Sequence, residues 1–391
     1  MGSAKRRVLA VTGIRSEYFL QRSILQAIAA HPCLTLEVVV TGAHLSPLHG
    51  GTVREIERDG FPIAARLETL LDSDRDAGRL KGAALQLQSL AQVVDDRRPD
   101  WLLAPADREE AMTTALCGAY LNIATAHYGA GDRVVGNVDD MVRHAVSRLA
   151  HLLLTTHEAA RERLIRAGEQ PWRVHCVGHS GLDRIQATPE LSPDALAAAL
   201  NVSRIDRPYL VVIQHPLSSE VDAAEAQMRE TLEAIVAVGW QAFVIYPNTD
   251  AGSRGIIRVI DEYGAGGQGK GKIYAFNTIP DVPFVNLLRG ALALVGNSSL
   301  GILEAPLLRL PAINVGNRQQ GRLHAENVLF VPPDRKAITA ALRRIADDED
   351  FAYRLRDCAN PFGDGHTGAR VAELLATIPL DAKLLNKDLQ Y

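Results

Sequence analysis

Short apolar runs rich in β-branched residues recur along the chain, each followed by a longer stretch whose apolar positions repeat with helical spacing. In the first half the clearest are Val8–Val11, Leu36–Val40, Trp101–Ala104, Ile123–Ala126 and Leu152–Thr155. Runs of this length without polar alternation read as strands buried on both faces, as in a parallel sheet covered by helices. The predicted fold class is α/β. The pattern lapses between about Gln186 and Pro208, where Thr188-Pro189-Glu190-Leu191-Ser192-Pro193 reads as a turn and a helix start. A second series follows at Tyr209–Ile213, Ala242–Ile245, Ile273–Phe276, Ala291–Val295 and Ala312–Val315. Two doubly wound, Rossmann-like domains are expected, over 1–188 and 189–360. The stretch Tyr353–Leu380 reads as largely helical, and 361–391 is expected to form a tail that packs back on the first domain.

Composition narrows the partners. The 391 residues carry 42 Lys+Arg against 46 Asp+Glu, a net charge of −4, with 47% hydrophobic and 23% charged positions. Such a chain is an ordinary globular one with no overall electrostatic reason to bind nucleic acid or an anionic membrane, so any anion needs a local site. No apolar run approaches the roughly 20 residues of a membrane-spanning helix, and Met1–Arg7 lacks the apolar core of a signal peptide. A cytoplasmic protein with a small-molecule partner is expected. Cys33, Cys117, Cys176 and Cys358 are far apart in sequence and form no metal-binding or disulfide pattern, so they read as core filler. Gly264–Lys272 looks like a phosphate cradle, yet no Ser or Thr follows the lysine and a strand follows the loop, so it reads as a mobile surface loop.

In doubly wound sheets ligands bind beyond the carboxyl ends of the strands, and the residues found there carry chemistry. Thr12-Gly13-Ile14-Arg15-Ser16 offers a glycine turn, a cation and a Ser-led helix start, a combination suited to an anion. Thr41-Gly42-Ala43-His44 places a histidine in the next loop, where a lone histidine is usually solvated. After Trp101–Ala104 come Asp107, Arg108, Glu109 and Glu110, and after Ile123–Ala126 come His127, Asp132, Asp139 and Asp140, the last sharing a helix face with Arg143 and His144. Acidic helix starts and local ion pairs account for each group singly. Together they bring several carboxylates to one edge, where crowding raises pKa values and suits proton abstraction from carbon. In the second half, Gln214-His215-Pro216 offers an acid/base or orienting histidine. Gly296-Asn297-Ser298-Ser299, with Glu304 beyond it, suits a diphosphate and its ribose.

These motifs, with Tyr246-Pro247-Asn248, Arg318-Gln319-Gln320-Gly321-Arg322 and Asn360-Pro361-Phe362-Gly363-Asp364-Gly365, make the chain resemble the UDP-N-acetylglucosamine 2-epimerases. It most closely resembles the hydrolysing branch that feeds sialic-acid and legionaminic-acid synthesis. The resemblance implies a glycosyltransferase-B-like architecture, a UDP-sugar substrate between the domains, no metal or redox cofactor, and a homodimer or homotetramer. It implies nucleotide-sugar binding by Gly13, Arg15, His44, Asn248, Ser298, Ser299, Glu304 and Arg322. Its acid/base set would be Asp107, Asp132 and Asp139 or Asp140, with His215 assisting. The implied reaction removes the C2 proton as UDP leaves C1, then adds water to release a free manno sugar. Two departures stand out: Ala106 replaces the glycine of Gly-Asp-Arg-x-Glu, and His127-Tyr128-Gly129-Ala130-Gly131-Asp132 replaces His-x-His-Gly-Gly-Glu. They leave open a non-hydrolysing epimerase or glycosyltransferase on the same scaffold, or a catalytically weak nucleotide-sugar-binding protein.

Overall fold

A computed structural model of the chain describes residues 5–71, 76–133, 138–247, 252–264, 269, 271–388 and 390. It divides into two compact units, Met1–Arg184 with Phe362–Tyr391, and Ile185–Pro361. The first contains β1 (Arg6–Thr12), β2 (Leu34–Thr41), β3 (Ile63–Leu67), β4 (Trp101–Pro105), β5 (Ala124–Tyr128), β6 (Leu152–Thr155) and β7 (Val174–Cys176). These form one parallel sheet in the order β3-β2-β1-β4-β5-β6-β7. The second contains β8 (Tyr209–Ile213), β9 (Gln241–Ile245), β10 (Ile273–Phe276), β11 (Ala293–Gly296), β12 (Ala312–Val315) and β13 (Val328–Val331). Its sheet is also parallel, in the order β10-β9-β8-β11-β12-β13. Both are doubly wound α/β sheets, and in both the strand order reverses beside the first strand, between β1 and β4 and between β8 and β11. Those two switch points are where loops diverge and leave room for a ligand.

The first unit is closed by the chain's own end. Val371, Ala372 and Leu375, on the helix Thr367–Thr377, are buried in the core that Tyr18, Ile24, Leu25 and Ile28 of the helix Arg15–Ala30 also enter. Burial of Val371 and Leu375 contributes roughly 1.5–3 kcal/mol each. The carbonyls at the end of Thr367–Thr377, which lack helical partners, accept from Arg6 and Trp101: Leu375 O at 2.8 and 3.0 Å, and Ile378 O from Arg6 at 2.7 Å.

Several local expectations are corrected. The strand expected at Ile123–Ala126 runs on to Tyr128, so His127 lies inside β5 opposite Ala104 and is fully buried. The helix after β1 starts at Arg15 with Ile14 as its cap and no side-chain cap bond; Ser16 does not cap it, and Glu17 takes the Gly13 N–H instead at 3.1 Å. The stretch Tyr353–Leu380 is broken by the Asn360-Pro361-Phe362-Gly363 loop between the helices Glu349–Arg356 and Thr367–Thr377. Of the cysteines only Cys117 is buried; Cys33 and Cys176 are exposed, and all four are free. Most of Gly264–Lys272, residues 265–268 and 270, lies outside the described residues. Among the described residues no helix is long and apolar enough to cross a membrane.

Candidate active site

In the first unit the ends of β1, β4 and β5 carry the chemistry. Asp107 follows β4 and Asp132 follows β5, and one buried cation serves both. Arg143, 6% exposed on the helix Val138–Leu149, donates through Nη2 to Asp107, through Nη1 to Gly129 O at 2.9 Å, and stands 4.0 Å from Asp132 Oδ2. Asp132 is held further by His157. That histidine caps the helix Glu158–Arg166, its Nδ1 accepting from Ala160 N–H at 3.2 Å, which leaves Nε2–H to donate to Asp132 Oδ1 at 3.3 Å.

The two carboxylates are driven apart in acidity. Burial pushes the Asp107 carboxyl up, aided by the charges of Asp139 and Asp132, and outweighs the pull of Arg143 and Arg108. Burial also acts upward on Asp132, but the His157 hydrogen bond, Arg143 and the Arg133 N–H outweigh it and bring the carboxyl down to about 2. An ionised carboxylate beside one whose proton is more tightly held is the usual arrangement of an acid/base pair. Asp139 is gripped by Arg79 at 3.2 Å and is the member of the Asp139/Asp140 pair whose charge reaches Asp107. Asp140 meets His144 instead, at 4.0 Å. Arg143 turns inward and away from that half-buried pair, although sequence spacing puts all three on one face.

Around β1 the glycine turn is built on buried carboxylates. A Cβ at Gly13 would fall 1.9 Å from Glu110 Oε1, so any larger residue there displaces the buried Glu110 side chain. Burial pushes the Glu17 carboxyl well up, with Glu110 beside it adding to the rise; burial and Glu109 do the same to Glu110. Among the described residues neither Glu17 Oε2 nor Glu110 Oε2 has a hydrogen-bond partner, and Arg108 Nε stands 3.6 Å from Glu110 Oε2. Glu110, one of the three acids that read as an acidic helix start, is buried against Gly13, 97 positions away. Arg15 is 62% exposed, pairs with Glu55 at 3.2 Å and lies over the Phe19 ring.

The solvated loop histidine expected at His44 is corrected: its ring is fully buried between Thr12 Oγ1 at 3.1 Å and Thr52 Oγ1 at 2.7 Å, and burial lowers its pKa to about 4. The ring presents no surface to a ligand and fixes the Thr41–Leu45 turn against β1. Close by, a cavity of about 350 Å³ is lined by Ile14, Gly42, Arg79, Gln86, Arg108 and Glu109 among others, within the size range of small-ligand pockets.

In the second unit the ends of β8 and β11 are locked together. Gly296 adopts φ +129, and a Cβ there would lie 2.1 Å from Ile213 O. Asn297 clips the His215 backbone in both directions, accepting its N–H at 2.7 Å and donating to its carbonyl at 2.8 Å. Arg318 and Gln319 donate to Asn297 O at 3.1 and 3.0 Å, and Arg322 donates to Gln319 Oε1 at 2.8 Å. The structure thus gathers His215, the Ser298-Ser299 turn and the Arg318–Arg322 loop at one switch point. The helix after the turn is a single one, Leu300–Leu303, with Ser298 Oγ accepting from Leu300 N–H at 3.4 Å and Glu304 at its end. Asn248 lies outside the described residues. Among the described residues no group of three or more His, Cys, Asp and Glu converges as a metal-ligand set.

The family model described as UDP-N-acetylglucosamine 2-epimerase matches residues 26–376. The chain belongs to that family. Among the epimerase relatives, the UDP-N,N'-diacetylbacillosamine 2-epimerase (hydrolyzing) of Legionella pneumophila subsp. pneumophila is 33% identical, over 98% of each chain. The GDP/UDP-N,N'-diacetylbacillosamine 2-epimerase (hydrolyzing) of Campylobacter jejuni is 29% identical over 83% of this chain and 84% of its own. A crystal structure of UDP-GlcNAc 2-epimerase from Neisseria meningitidis bound to UDP-GlcNAc superposes with a TM-score of 0.76 at 15% identity, covering 94% of this chain and 99% of that one. That likeness is one of fold, the glycosyltransferase-B-like fold of the epimerases.

Proposed function

We propose that this UDP-sugar 2-epimerase family member is a hydrolysing enzyme acting on a UDP-linked 2-acetamido sugar, a 4-acetamido-6-deoxy one in preference to UDP-GlcNAc. The observation that carries the reading is the Asp107–Arg143–Asp132 group, two carboxylates of opposed acidity on one buried cation. The names of the two relatives above favour the 4-acetamido-6-deoxy substrate and the hydrolysing outcome.

In the proposed reaction a carboxylate of this group takes the C2 proton, the C1–C2 double bond forms, and the C1–oxygen bond breaks with its electron pair leaving on UDP. Water then adds at C1 as a proton returns to C2 from the opposite face, giving a free manno-configured sugar. Asp107, with its raised proton affinity, is the member of the pair suited to take the abstracted proton, and Asp132 stays ionised to orient or activate water. Stabilising departing UDP needs donors and cations, a role this reading gives to Arg15 on the first unit and to Arg322, Ser298 and Ser299 on the second, with Glu304 accepting from ribose and His215 assisting the acid/base group. Incubation with each of the two UDP-sugars, followed by separation of products, tests the reading: free UDP and free sugar in equal amounts support it. An epimerised sugar still attached to UDP would point to the non-hydrolysing reaction instead.

A further inference from the structure

Ala106 follows the last residue of β4 with φ +44, in the left-handed region that residues bearing a Cβ disfavour, immediately before Asp107. Two hydrogen bonds hold it there. Its N–H donates to Tyr128 O at 3.0 Å, and its carbonyl accepts from His127 Nε2 at 2.6 Å. A carbonyl can only accept, so the imidazole proton is on Nε2. Burial, with Arg143, Lys387 and His144 adding to it, outweighs the Ala106 bond and brings His127 down to about 3, so the ring is neutral and Nδ1 is bare. Nδ1 lies 3.1 Å from Ser147 Oγ, whose single hydroxyl proton has two acceptors in reach, this nitrogen and Arg143 O. Ser147 sits one helical turn beyond Arg143, 2.9 Å from its carbonyl, and Arg143 grips the Asp107 carboxylate. The contacts close a ring: His127 fixes the peptide that enters Asp107, and the helix that His127 leans on supplies the cation that fixes its side chain.

We propose that His127 is a positioning residue for Asp107, a latch that keeps the Ala106–Asp107 peptide in its left-handed turn and so aims the carboxylate. The inference rests on the reading of Asp107 as an acid/base group. The chain places alanine where glycine would hold the turn unaided, and the buried donor supplies what the alanine lacks.

The test is a double-mutant cycle on the full chain with His127→Leu, Ala106→Gly and both together, with His127→Gln as the conservative variant whose amide N–H can still donate. Read with a UDP-sugar, His127→Leu is expected to lower kcat at least about tenfold with KM within about threefold, since small displacements of a reacting group cost this much. His127→Gln is expected to recover most of the loss. With Ala106→Gly present the loss from His127→Leu should shrink to about threefold or less, because glycine keeps the turn without the latch. Equal losses with and without Ala106→Gly would overturn the proposal and make His127 a packing residue only. If the His127→Leu protein does not fold, Ser147→Ala takes its place in the cycle with the same expectations. If the unaltered protein turns over neither UDP-sugar, the functional reading fails by itself. The latch is then judged on melting temperature, where the fall caused by removing His127 should be smaller with Ala106→Gly present, and an equal fall would refute it.

Discussion

Replacing Arg143 with methionine probes the acid/base group most sharply, since the two side chains are similar in length and only the guanidinium is lost. Breaking a fully buried ion pair by removing one partner costs about 3–5 kcal/mol. Here the side chains of Asp107 and Asp132 are 20% and 36% exposed, so water recovers part of that. Losing the bond to Gly129 O adds a buried carbonyl without that donor. We expect a net loss of about 2–3 kcal/mol. At about 2–4 °C per kcal/mol this is a fall of about 4–12 °C in Tm. The effect on acidity is more diagnostic. Arg143 is the strongest influence holding the Asp107 carboxyl down, against burial, Asp139 and Asp132, so without it the carboxyl rises further. If Asp107 must be ionised to act, the acid limb of kcat/KM moves to higher pH in Arg143→Met, and Arg143→Lys, which keeps the charge without the fork, falls between. A folded Arg143→Met protein whose acid limb stays in place would refute the assignment of Asp107 to the acid/base group.

Gly13→Ala forces a Cβ into Glu110 and is expected to destabilise by about 1–3 kcal/mol in denaturant unfolding. His44, His127 and His151 are held neutral by burial, at about 4, 3 and 4. Each takes up a proton on unfolding below its ordinary 6.5, so stability should rise with pH between about 4 and 6.5, by up to about 1.4 kcal/mol per pH unit per group. His44→Gln should flatten that slope in Tm against pH, and an unaltered slope would remove His44 from the account. Arg322→Ala and Ser298→Ala are expected to weaken UDP binding by about tenfold, read by calorimetry, for the loss of one charge-assisted or neutral donor. Unchanged affinity in both would take the nucleotide away from the Gly296–Arg322 switch point.

Strands such as β1, β4 and β8 are legible because each is an unbroken apolar run buried on both faces. β3, Ile-Ala-Ala-Arg-Leu at the sheet edge, is only half buried, and its composition carries no comparable signal. The strand-end loops carrying Asp107, Asp132 and Ser298 could be found from topology alone, since a doubly wound sheet puts its chemistry beyond the carboxyl ends of its strands. Which polar groups are buried could not. His127 is inside β5 because Ala104 pairs with it, His44 is closed in by Thr12 and Thr52, and Glu110 is buried under Gly13, all contacts between residues distant in sequence. The direction of Arg143 was likewise hidden: helical spacing groups it with Asp140 and His144, and the positions of Asp107 beyond β4 and Gly129 O beyond β5 draw it inward.

The central claim is that carboxylates at the ends of β4 and β5 exchange the C2 proton of a UDP-linked 2-acetamido sugar and that water completes the reaction. Proton NMR of the protein with UDP-linked 2,4-diacetamido-6-deoxy sugar in D2O reads every part of this at once. The account predicts free UDP together with a free manno-configured sugar carrying deuterium at C2, and none with Asp107→Asn although UDP still binds. A released sugar that keeps its C2 proton, or unchanged turnover by Asp107→Asn, would contradict it.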